Sequence, residues 1–88
     1  MDRSIVYGFI DAEREYQIQK WGDVDKRNSV GDFICYMSRY LNNAKDCVNP
    51  DESYQVLRQI LKVVALGVAC LEQHGDKQKP KLKEEFNE

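Results

Sequence analysis

The chain has 88 residues, of which 42% are hydrophobic and 32% charged, with a formal net charge of −2. That length supports one small domain at most, and the composition is ordinary for a folded soluble chain rather than a disordered one. The slight acidity excludes a duplex-nucleic-acid binder that works by bulk electrostatics, though not a local basic patch.

Proline and glycine divide the sequence into three helical segments, and no strand alternation competes with them. The first helix is predicted from about Ser4 to Lys20. Val6, Ile10, Glu13, Gln17 and Lys20 follow at steps of four, three, four and three, so they share one face. That face starts apolar and turns polar halfway along, whereas a purely structural helix keeps its core stripe apolar to the end. Gly22 is read as the helix stop, with Trp21 packing back over the end. Ser29 followed by Asp32 is a capping pattern for a second helix from about Val30 to Ala44. Its apolar seam is Val30, Phe33, Ile34, Met37, Leu41 and Ala44, flanked by Tyr36 and Tyr40, with Arg39 on the far side.

Asn49, Pro50 and Glu52 form a strong start for a third helix running to His74, with Gly75 as its stop. Its 25 or so residues span roughly 37 Å. Leu57, Leu61, Val64, Val68 and Leu71 make a heptad-like seam, and between Ile60 and Leu71 only Lys62 is charged. Two short helices can hardly cover so apolar a helix. The expected fold is therefore all-α: a three-helix unit with a long C-terminal core helix, assembling as a helical-bundle oligomer, at least a homodimer. Ala65, Gly67 and Ala69 would let another helix approach closely. Residues 1–75 form the single domain, and 76–88 read as a charged, mobile tail.

The three cysteines, Cys35, Cys47 and Cys70, are odd in number and lack metal-ligand spacing. They read as reduced thiols of an intracellular protein, with Cys70 in the core. The N-terminal apolar run is too short for a signal peptide, and no segment approaches the roughly 18 apolar residues of a membrane span. The expectation is a cytoplasmic protein without a membrane partner.

The pattern Glu13-Arg14, Gln17, Lys20-Trp21-Gly22 resembles a signature of small phage-encoded proteins similar to the MazG-like all-α nucleotide pyrophosphohydrolases. Phe33 near the start of the second helix and "ILKVVALGVACLE", Ile60 to Glu72, extend the resemblance over about Ile5 to Glu72. It implies a helical core, dimeric or tetrameric, with a nucleotide site between helices. In catalytic members a Glu-Glu-x-x-Glu motif on the second helix joins an acidic pair on the next to hold Mg²⁺, whose hard character calls for carboxylate oxygens. Here those positions fall near Arg39, Tyr40 and Asn43, and no carboxylate stands between Asp32 and Asp46. The third helix carries Arg58, Gln59 and Lys62 where ligands should stand. A cation cannot ligate Mg²⁺, but it meets a phosphate directly.

Three functional expectations follow. The first is non-catalytic binding of a nucleotide or nucleotide-derived signal, with no cofactor or metal, through Glu13, Gln17, Lys20, Trp21, Tyr36, Arg39, Tyr40 and Lys62. In this reading Gln17 meets a base edge, the tyrosines flank it, Arg39 or Lys62 meets phosphate, and Glu13 holds Arg39 or Lys62. Lys62, inside the most apolar helix, needs a buried partner or an anionic ligand. By analogy, a phage-type protein of this kind would sequester a host defence signal. The bland reading of Glu13, Gln17 and Lys20 is a solvated face, that of Trp21 is helix-end packing, and that of the tyrosines is a rim over the core. The second expectation is a small helical interaction protein that inhibits a host protein. The third is a residual metal-dependent pyrophosphohydrolase using Glu13, Asp32 and Glu52. His74, beside Gly75 at a helix C-terminus, suits the helix dipole and has no catalytic role.

Overall fold

The computed structural model describes residues 1–22, 28–47 and 53–77. They form three α-helices, α1 (Arg3–Trp21), α2 (Val30–Asp46) and α3 (Ser53–His74), followed by a 3-10 turn over Gly75–Lys77. No strand occurs among the described residues, so the fold is all-α with the expected element order.

Local chemistry sets the helix ends. Gly22 closes α1 at φ 74° and ψ −176°, and its N–H donates to the Ile18 carbonyl at 2.7 Å. A side chain is strained in that region of backbone space, whereas glycine enters it freely. A Cβ built on Gly22 meets no atom within 4 Å, so Gly22→Ala should destabilise by conformation alone, about 1–3 kcal/mol. Urea unfolding checks this, and an unchanged midpoint would show that α1 can end without the positive φ. At α2 the capping box forms as the sequence predicts. Ser29 Oγ accepts from the Asp32 N–H at 3.0 Å, and Asp32 Oδ2 accepts from the Ser29 N–H at 2.9 Å. The expected start of the third helix at Asn49, Pro50 and Glu52 lies outside the described residues, as does the tail beyond Lys77.

The third α-helix ends at His74, as expected from Gly75, and a 3-10 turn over Gly75–Lys77 follows it. His74 is placed by a specific contact rather than by the helix dipole alone. Its Nε2 donates to the Asn28 carbonyl at 2.8 Å, and its ring meets Phe33 edge-on at 6.3 Å. This contact ties the end of α3 to the entry of α2.

Packing is organised around α3. Both α1 and α2 lie against it and scarcely touch each other. Phe33, Leu66 and Ala69 form the core, with Met37, Tyr40 and Cys70 packed on it, and Ala44 and Ala65 are also buried. The three cysteines are free thiols, and Cys70 is half-buried.

Two expectations are revised here. The small residues Ala65 and Ala69, read as an approach for another helix in an oligomer, are buried within the chain, while the large-residue seam is left open: Leu57 is 65% exposed and Leu71 56%, with Ile60 and Val64 also exposed. The chain's own helices instead take the small-residue side of α3, where backbones approach closely. Ala65 and Ala69 are thus used within the protomer, and Gly67 faces the Met37 sulfur of α2. Second, α3 continued to Lys77 is long and apolar enough, by length and composition, to cross a membrane. Its average stays high even though Arg58 and Lys62 interrupt the apolar run. The mostly buried core helix of a soluble bundle passes the same test, but here only 17% of the apolar window is buried.

In α1 the burial order is inverted. Ile5, Val6 and Phe9 of the apolar half are exposed, while Glu13 is 8% and Gln17 3% exposed. The buried part of this helix is its polar part.

Candidate functional site

Helical spacing delivers one face of each helix to a common cleft. On α1, Glu13, Gln17 and Lys20 share a face. On α3, Arg58, Lys62, Leu66, Ala69 and Gln73 follow at steps of four, four, three and four, giving a stripe that runs from cations through apolar residues to an amide. The small side chain of Ala69 and the weak contact between α1 and α2 leave room above that stripe.

The space divides into two adjoining cavities. The larger, about 440 Å³, is walled by Arg14, Gln17, Ile18, Lys20 and Trp21 of α1 and by Phe33, Tyr36, Arg39 and Tyr40 of α2. Leu66, Ala69 and Gln73 of α3 form its floor, and Gly22 and Asn28 also line it. The smaller, about 50 Å³, is lined by Glu13, Tyr16, Arg58 and Lys62 and shares Gln17, Lys20, Trp21 and Tyr40 with the first. All eight residues singled out from the sequence therefore lie on these two walls. Glu13 and Lys62 reach only the smaller cavity, and Tyr36 and Arg39 only the larger.

Aromatic faces hold the cations. Lys20 Nζ stands 5.8 Å from the ring centroids of both Tyr16 and Trp21, and Lys62 Nζ stands 5.2 Å over Tyr40. The Arg58 guanidinium lies 6.0 Å over Tyr54. Such contacts orient a cation and leave its N–H donors unspent. Trp21, expected to fold back over the helix end, is 39% exposed and stands beside Lys20 at the cavity wall. Lys62 has its partner in the Tyr40 ring rather than in an acid. The expected pairing of Glu13 with Arg39 or Lys62 is not formed. Among the described residues the ion pair present joins Arg14 Nε to Glu72 Oε1 at 2.6 Å, pinning α1 to α3.

Gln17 is the anomaly of the site. It is almost fully buried, and among the described residues neither its Nε2 nor its Oε1 has a hydrogen-bond partner. An unpaired buried amide costs about 1–3 kcal/mol, so its retention beside a cavity needs a reason. Tyr36 Oη, 3.4 Å from Asn28 Oδ1, and the Phe33 ring, edge-on to Tyr36 at 6.4 Å, complete the α2 wall.

Sequence reasoning assigns no site role to Arg14, Asn28 or the α3 floor. The signal that finds the floor is the period of four and three from Arg58 to Gln73, which is overshadowed by the larger residues of the neighbouring seam. Arg14 stands one step off the Glu13–Gln17–Lys20 face, and its inclusion follows from its contact with Glu72.

The residues do not fit the Mg²⁺ centre that the resemblance implies. Among the described residues no group of three or more His, Cys, Asp or Glu side chains could hold a metal ion. Asp32 is spent on the α2 cap and lines neither cavity, and Glu52 lies outside the described residues. Compared with known proteins, the chain matches no family model, no curated protein and no solved structure.

Proposed function

We propose that the protein binds a nucleotide or nucleotide-derived signal molecule in the cleft between its helices, without chemical turnover. The observation that carries this reading is Gln17, a buried amide with donor and acceptor both unpaired at the junction of two cavities. A nucleobase edge offers the complementary acceptor and donor side by side, the pairing by which an amide side chain reads adenine. The larger cavity falls within the roughly 300–1,000 Å³ of small-molecule sites. Its wall combines the aromatic rings of Trp21, Tyr36 and Tyr40 with the cations Lys20 and Arg39, and no carboxylate lines it. Planar rings and negative charge are the two features such a wall recognises. Binding without turnover would suit sequestration of a signal in the cytoplasm of a phage-infected host, and the chain would act as a homodimer or larger assembly.

Calorimetry against nucleoside triphosphates, cyclic dinucleotides and ADP-ribose derivatives tests the proposal. At least one should bind, and Arg39→Ala should weaken it by about 10- to 100-fold, the worth of a hydrogen bond to a charged group. Silence across the panel at millimolar ligand would overturn the reading.

A second reading, a helical module that inhibits a host protein, draws on the exposed apolar residues of all three helices, among them Phe9, Ile34 and Leu57. A stoichiometric protein partner captured from host lysate, still held by Arg39→Ala and Lys62→Ala variants, would favour it.

A further inference from the structure

The smaller cavity gathers three cations and one acid. Lys20, Arg58 and Lys62 line it together with Glu13, and none of the three is in an ion pair among the described residues. Glu13 is 8% exposed, yet among the described residues no cationic nitrogen lies within 4.0 Å of its carboxylate. The cations are held on aromatic rings, so their charge and their donors remain available. A volume of about 50 Å³ holds a few water-sized groups, enough for one tetrahedral anion and too little for a base. Gln17, Lys20, Trp21 and Tyr40 belong to both cavities. A single ligand with its ring in the larger space can therefore place a phosphate in the smaller.

Polyphosphates ordinarily travel with Mg²⁺, and proteins that accept the complex supply carboxylates for the metal's remaining positions. This recess supplies one carboxylate and three cations. Mg²⁺ on the phosphates would cancel the charge that Lys20, Arg58 and Lys62 recognise and bring its own positive charge among theirs. We infer that the recess is a metal-independent phosphate subsite, in which Arg58 and Lys62 take the place of a divalent ion and Mg²⁺ acts as a competitor. The inference rests on the nucleotide reading and adds to it the ligand's form, a free polyphosphate.

The test is calorimetry on the full chain with ATP, GTP, CTP and UTP, in EDTA and in millimolar Mg²⁺, beside a cyclic dinucleotide and ADP-ribose. At least one triphosphate should bind in EDTA and lose about ten-fold or more in Mg²⁺. Arg58→Gln and Lys62→Gln should each weaken it in EDTA by about ten-fold or more, the worth of a charged hydrogen bond, and should reduce the Mg²⁺ effect. Triphosphate binding that Mg²⁺ tightens or leaves unchanged overturns this inference and leaves the nucleotide reading standing. Binding of the cyclic dinucleotide or ADP-ribose with silence from the triphosphates does the same. Silence from all the probes overturns both. The Mg²⁺ comparison uses the unmodified protein, so it decides the matter even if a variant fails to fold.

Discussion

Replacing Gln17 with leucine is expected to raise the melting temperature and abolish nucleotide binding together. The two side chains are close in size, so the change removes the unpaired amide without opening a cavity. Relief of one buried, unsatisfied polar group is worth about 1–3 kcal/mol. For a chain of this length each kcal/mol moves the midpoint by roughly 4–8 °C. Thermal unfolding followed by circular dichroism measures the gain, and calorimetry with the tightest ligand of the panel measures the loss. A structural amide predicts the opposite sign: a fall in melting temperature for Gln17→Leu would mean that both ends of the amide are paired in solution. Stability gained with binding lost is the mark of a polar group retained for a ligand.

The second large effect concerns assembly. Within one protomer Leu57, Ile60, Val64 and Leu71 on α3 and Ile5, Val6 and Phe9 on α1 remain exposed. Burying each such side chain contributes roughly 1.5–3 kcal/mol, against a total stability of about 5–15 kcal/mol for a domain. The core of one protomer is small, since Phe33 and Leu66 are its only large buried apolar residues among those described. A second copy is the simplest cover, and two-fold pairing is the commonest arrangement. Light scattering at micromolar concentration should therefore give at least twice the 10.3 kDa of one chain. Val64→Asp should yield monomers or unfolded chain, because a charge would enter the interface. At a merely exposed position it would change stability by less than about 0.5 kcal/mol. A 10.3 kDa species whose stability Val64→Asp leaves alone would show that the exposed seam has no partner copy.

The helices and two of their ends were legible because their causes are local. Gly22 at positive φ, and Ser29 with Asp32 in a reciprocal cap, each act within four residues of where they stand. The choice of faces was not legible in the same way. Periodicity marks Leu57, Leu61, Val64, Val68 and Leu71 as a seam, but it cannot say whether the seam's partner lies in the same chain. The intrachain face proved to be the one with Ala65, Leu66 and Ala69, because the partners offered by α1 are Glu13 and Gln17 rather than large apolar groups. The polar turn of the α1 stripe was the readable sign of this, and it points to the same cleft. Lys62 needed a partner on grounds of burial, but the Tyr40 ring was not predictable from spacing, since α2 and α3 are related only through tertiary packing.

The unequal attachment of the helices to α3 would set the rate at which the proposed ligand enters the cleft. α2 shares the aromatic core with α3, while α1 is held through two polar buried residues and a partly exposed ion pair. The α2–α3 hairpin is therefore the persistent unit, and α1 is the element that detaches at the least cost in free energy. Both amide atoms of Gln17 are closed to solvent while α1 is seated. Under the proposed reading, a ligand that pairs with them would wait for α1 to lift and would hold it down on return. Capture would be gated by that opening rather than by diffusion, and a slow first encounter would be followed by long residence.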